Sequence, residues 1–206
     1  MIPFVDGHLD LALNAMALRR ELLLPLDEVK AKEADVENGP FGTGTVTLPE
    51  LRRGGAVMVV STLLARTRPW KVKSGLLGVP AGDFPDQDTA HAAAMAQLDY
   101  YRCLADRGAI RFILNRDDLP ALDQAEPEVP LPLMVTMEGA DPVRDPDDLH
   151  RWHAAGLRTL MFSHFGKSTY AHGTPDFESA TPHPNDTDGP LTPQGRHLLK
   201  EVAALE

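Results

Sequence analysis

The strongest constraint on the fold is an alternation. Short apolar runs at residues 2–5, 56–63, 110–114, 131–137 and 157–162 are separated by stretches with helical periodicity. Strands alternating with helices predict a parallel sheet joined by helical crossovers, because parallel neighbours cannot be linked by tight turns. The run at 2–5 reads as a buried strand. The run at 56–63 is apolar almost throughout, as in a sheet covered on both faces. Helices are expected over 9–24, 89–106, 117–122 and 146–155, the second with Ala94, Leu98, Tyr101 and Ala105 on one stripe. A last helix should start at Thr192 as N-cap with Pro193 in its first turn. Residues 29–47, 66–88 and 165–190 are polar or rich in Gly and Pro and read as loops.

With 206 residues, 43% of them hydrophobic, the chain has ample material for a core. No run approaches the ~20 apolar residues that span a membrane. The opening Met-Ile-Pro-Phe-Val-Asp lacks the features of a secretory signal, so a cytoplasmic protein is expected. A formal net charge of −10 argues against a nucleic-acid partner. The single cysteine, Cys103, excludes an internal disulfide and a Cys-rich zinc knuckle; its helical context predicts a packed thiol. There is no G-x-G-x-x-G after the first strand and no phosphate loop, which removes the main support for nucleotide binding.

In (β/α) barrels the chemistry collects at the C-terminal ends of the strands. Here those ends carry Asp6-Gly-His8-Leu-Asp10, then Glu138, then Ser163-His164. His8 and Asp10 project from one face if the backbone stays extended, and imidazole with carboxylate is zinc-ligand chemistry. The same residues also suit a turn histidine followed by a helix N-cap. Glu138 suits a carboxylate bridging two metal ions, or equally a strand-end carboxylate beside a Gly turn. His164 suits either a site residue or a loop histidine. His91, His150, His153 and His197 fall on expected helices. Asp145, Asp147 and Asp148 read as a capped first turn.

Four segments in order, Val5-Asp-Gly-His-Leu-Asp-Leu-Ala12, Val135-Thr-Met-Glu-Gly-Ala-Asp141, Leu157-Arg-Thr-Leu-Met-Phe-Ser-His164 and Gly189-Pro-Leu-Thr-Pro-Gln-Gly-Arg196, resemble the membrane (renal) dipeptidase family, peptidase M19, of the amidohydrolase superfamily. The resemblance spans essentially the whole chain. It implies an α/β, TIM-type (β/α)8 barrel, of which about the first five β/α units are expected here, as one partial metallo-dependent hydrolase domain over 1–206. It further implies hydrolysis of dipeptides by a metal-bound water at a binuclear zinc centre. His8 and Asp10 would bind the first zinc and Glu138 would bridge the pair. His164 would contact substrate and stabilise the tetrahedral intermediate, and Asp10 would help manage the proton. No role carries over to Asn185 or the loop 170–188.

The sequence departs from the family after Leu191-Thr-Pro-Gln-Gly195, where members continue into strands bearing the second zinc's histidines, a substrate-binding arginine and a further aspartate. The chain stops at Glu206, inside a helical pattern. His172 and His183 are the loop candidates to replace those ligands. One tightly bound zinc or fewer is therefore expected, and the chain reads as a fragment of a longer product. Its first and fifth strands should be open edges with uncovered apolar surface. The same edges would arise if a partner chain or a second copy completes the sheet, or if the last strands were genuinely lost. The alternatives in function are a non-catalytic relative binding one metal or a partner, and an amidohydrolase acting on another small amide or ester.

Overall fold

The computed structural model describes residues 2–35, 42–68, 82–121, 130–164, 166–173 and 189–205. The described chain is α/β, with β1 (Phe4–Leu9), α1 (Leu11–Ala17), α2 (Leu26–Glu33), α3 (Leu48–Gly54), β2 (Ala56–Leu63), β3 (Arg66–Thr67), β4 (Asp83–Phe84), α4 (Gln87–Asp106), β5 (Ile110–Phe112), β6 (Leu131–Glu138), α5 (Leu149–Ala155), β7 (Leu157–Met161) and α6 (Pro193–Ala204) in order. It divides into two compact units, residues 1–62 with 97–135 and residues 63–96 with 136–206.

In the first unit the strand order is β1-β2-β6-β5. β1 runs parallel to β2, with Phe4 opposite Ala56 and Leu9 opposite Ser61, and β5 runs parallel to β6 over Leu131–Leu133. With three residues, β5 pairs with only the first part of β6 and stands at the end of the order. β2 is buried along nearly its whole length, as its apolar run predicts. Leu11, Leu22, Leu48, Val59, Leu98, Tyr101 and Leu133 form the core of this unit.

In the second unit β7 lies beside the end of β6, joined by the Ala140 amide to Phe162 carbonyl bond of 3.4 Å. The two-residue strands β3 and β4 pair in parallel. Leu63, Met137, Val143, Leu149, Trp152, Tyr170 and Leu198 are buried here. α6 starts as expected: Pro193 occupies the first turn and the Thr192 hydroxyl accepts from the Gly195 amide at 3.0 Å. A Cβ at Gly195 would sit 1.8 Å from the Tyr170 carbonyl oxygen, so only glycine lets α6 seat this close.

Six expectations are corrected. The first strand is longer and more exposed than the run 2–5 suggests: it extends to Leu9, and Phe4 and Val5 are exposed because, among the described strands, β1 pairs only with β2. The helix expected over 9–24 is confined to Leu11–Ala17; Arg19 takes a positive φ of 56°, which ends it. Residues 29–33, read as loop, belong to α2, whose Val29 and Glu33 are buried. Where a helix was expected at 117–122, the described residues hold a 3₁₀ turn over Arg116–Asp118, in which Asp118 accepts from the Leu114 and Asn115 amides. Cys103 is exposed, because the buried stripe of α4 runs through Leu98, Tyr101 and Leu104 and leaves position 103 facing solvent. α4 itself starts two residues earlier than expected, at Gln87, because Asp86 caps it by accepting from the Thr89 amide at 2.8 Å.

Candidate metal centre

In the first unit, His8 lies within β1 and not in a turn. Asp10 stands at the N-cap position of α1 but makes no capping bond with its side chain. The backbone turns out of the extended region at Asp10 (φ −83°, ψ 52°), yet the carboxylate stays 3.8 Å from His8 Nε2. Zinc bonds of about 2.0–2.1 Å in a tetrahedron place neighbouring donors about 3.3 Å apart. One imidazole nitrogen and one carboxylate oxygen at this separation therefore fit a shared divalent ion after a small adjustment. His8 is half exposed, leaving its ring open to solvent.

Asp10 is held from behind. The Thr62 hydroxyl, at the end of β2, donates to Asp10 Oδ1. The Tyr101 hydroxyl from α4 donates to the Thr62 carbonyl at 2.9 Å and accepts from the Ala12 amide at 3.1 Å. That amide belongs to the first turn of α1, where N–H groups lack partners within the helix. Burial holds the Tyr101 phenol above its ordinary range, so it remains a donor at any working pH. Tyr101, expected only as a packing residue, and Thr62 thus fix the ligand-bearing junction of β1 and α1.

In the second unit, Glu138 is the buried last residue of β6. Gly139 follows with φ 94°, and a Cβ there would approach the His164 amide to 3.4 Å. This turn brings His164 onto Glu138, with Nε2 2.8 Å from Oε1. Arg66 Nη1 lies 3.1 Å from His164 Nδ1, and Arg66 Nε lies 2.8 Å from Asp83 Oδ1. An arginine only donates, so Nδ1 must accept, and the ring proton sits on Nε2, aimed at Glu138. The result is a chain of charge-assisted contacts, Asp83–Arg66–His164–Glu138. Arg66 lies 98 residues from His164, and no local pattern could have signalled it.

Asp141 accepts from the Thr67 amide at 3.1 Å. Burial pushes its carboxyl up to about 6, against the opposing pull of that bond and of Arg68 and Arg66. Gln87 and the Tyr170 hydroxyl both donate to the Val143 carbonyl, and His91 Nδ1 contacts the Pro142 carbonyl at 2.9 Å. The turn after Glu138 is therefore clamped from three elements. His172 pairs through its backbone with Pro190 and with the Ser163 hydroxyl. His183 and Asn185 lie outside the described residues.

The family model for membrane dipeptidase, peptidase family M19, matches residues 1–205. Three solved structures share the fold. A dipeptidase AC, a metallopeptidase of family M19, is 24% identical, with a TM-score of 0.63 over 99% of this chain and 54% of its own. A metallopeptidase from Rhodobacter sphaeroides, liganded with a phosphinate mimic of the dipeptide L-Ala-D-Ala, is 22% identical, with a TM-score of 0.63 over 99% and 56%. The probable dipeptidase PvdM from Pseudomonas aeruginosa is 19% identical, with a TM-score of 0.61 over 99% and 45%. The chain thus spans about half the length of these structures. No curated protein matches. Among the described residues no helix is long and apolar enough to cross a membrane. The match over residues 1–205, on a chain whose strand ends carry an imidazole, a carboxylate and a second imidazole–carboxylate pair, shows that it belongs to the membrane dipeptidase family, peptidase family M19.

Proposed function

We propose that these 206 residues form part of a zinc-dependent dipeptidase with a (β/α)8 barrel and a binuclear centre, within a single metallo-dependent hydrolase domain. The observation that carries this reading is the family match over residues 1–205. His8 and Asp10 would hold one zinc and Glu138 would bridge to the second, whose other ligands come from outside these residues. The donor set supports zinc: imidazole and carboxylates, with His8 and Asp10 a small adjustment from ligand-pair separation. When bound, a zinc pair acidifies water and polarises a carbonyl.

The chain's own residues supply the rest. Thr62 fixes the Asp10 carboxylate by donating to Oδ1, the oxygen that faces His8. His164 presents an Nε2 proton to Glu138, and that proton can be offered to an oxygen gaining negative charge in the dipeptide. Arg66 holds the ring in the tautomer that makes this donation possible. Asp83 in turn anchors Arg66.

The test is hydrolysis of a dipeptide panel that includes L-Ala-D-Ala. The chain is assayed with added zinc, alone and fused to the C-terminal portion of a family M19 relative. The fused form should turn over dipeptides, and Glu138→Gln in it should abolish turnover. An inert fusion that binds zinc, or turnover indifferent to Glu138→Gln, would overturn the proposal.

A further inference from the structure

A second group of metal-capable side chains lies in the second unit, apart from the strand ends. α6 carries His197 and Glu201, four residues apart and hence on one face of the helix. α5 and the 3₁₀ turn before it, over Pro146–Asp148, pack against α6 and bring His150 and Asp147 to the same place. Glu201 gives one carboxylate oxygen to each imidazole: Oε2 is 2.9 Å from His150 Nε2, and Oε1 is 3.4 Å from His197 Nε2. Donor atoms of Asp147, His197 and Glu201 all lie within 4.8 Å of one another.

We propose that Asp147, His197 and Glu201 form a surface site for a divalent transition ion such as Zn²⁺, which clips the 3₁₀ turn before α5 to α6, with His150 held on the other oxygen of Glu201. Three features support it. The donors are one imidazole and two carboxylates, and the imidazole favours zinc, nickel or copper over calcium or magnesium. The His197-to-Glu201 spacing of 3.4 Å is close to the about 3.3 Å donor separation of a tetrahedral zinc site. His197 is about half exposed, so an ion can enter without opening the fold. The alternative is a triad in which Glu201 pairs with both imidazoles and no ion binds.

The experiment is a Zn²⁺ titration by calorimetry of the full chain in four forms: wild type, H150A/H197A, D10N/E138Q, and all four changes together. The surface pair should remove one zinc equivalent from the wild type. D10N/E138Q should keep that equivalent, and the quadruple variant should lose it or bind it at least roughly tenfold more weakly. In the D10N/E138Q background, saturating zinc should raise Tm, and the added H150A/H197A changes should abolish the rise. Unchanged stoichiometry and affinity on H150A/H197A would overturn the site and leave the triad. Because the comparison is made without Asp10 and Glu138, its failure is separable from failure of the dipeptidase reading.

Discussion

Tyr101→Phe probes the support beneath Asp10 with little change of shape. The ring is fully buried, and phenylalanine keeps its packing, so no cavity term enters. What is lost is one oxygen that joins the Ala12 amide at 3.1 Å to the Thr62 carbonyl at 2.9 Å. Ala12 has no exposed surface, so water cannot replace the hydroxyl. A buried donor left without a partner costs about 1–3 kcal/mol. At about 2–4 °C of Tm per kcal/mol for a chain of this size, the middle of that range is a fall of about 4–8 °C. Urea unfolding should show a lower midpoint with an unchanged slope, since the surface exposed on unfolding is the same. Zinc affinity should also fall, because Thr62, which donates to Asp10, loses its carbonyl anchor. A stability change below about 0.5 kcal/mol, the range of neutral surface substitutions, would refute the bridging role of the hydroxyl.

Three further outcomes follow from the same structure. Glu33→Ala removes the carboxylate that pairs with buried Arg20 at 2.6 Å and accepts the Gly44 amide; it should destabilise by about 3–5 kcal/mol in urea unfolding, because a buried guanidinium is left uncompensated. Asp141 has a folded-state value of about 6, raised by burial above the ordinary carboxylate value, so the fold favours its neutral form. Its contribution is full below about pH 4 and is lost as pH rises to about 6; wild type should therefore lose stability relative to Asp141→Asn across that window and hold a constant difference above it, as read from urea midpoints at stepped pH. Arg66→Met should release His164 from its single tautomer: imidazole nitrogen NMR shifts at alkaline pH should report Nε2–H in the wild type and a mixture in the variant, and identical spectra would remove Arg66 as the positioning residue.

How far the sequence foretold this depended on the range of the interactions involved. β2 was legible to the residue because eight mostly apolar positions covered on both faces leave one reading. The start of α6 was legible because Thr192 and Pro193 state their roles locally. β1 was cut short because Asp6-Gly7 looks like a turn, whereas pairing with β2 carries the strand through His8. α2 was hidden because its polar run buries one valine and one carboxylate, and the carboxylate is balanced by Arg20, 13 residues away. The site itself shows the same division. Residues at strand ends could be named from position and family motif, but Thr62, Tyr101, Arg66 and Asp83 act through contacts between distant segments. Cys103 was misplaced because a helical stripe fixes which face is buried only once its neighbours are known.

Zinc held by His8, Asp10 and Glu138 is the centre of the proposed function. Elemental analysis after zinc loading and exhaustive dialysis tests it most directly, in the H150A/H197A background so that the surface group does not contribute. About one retained zinc per chain is expected, lost on adding Asp10→Asn or Glu138→Gln while circular dichroism stays native. Zinc content unchanged by either substitution would contradict it.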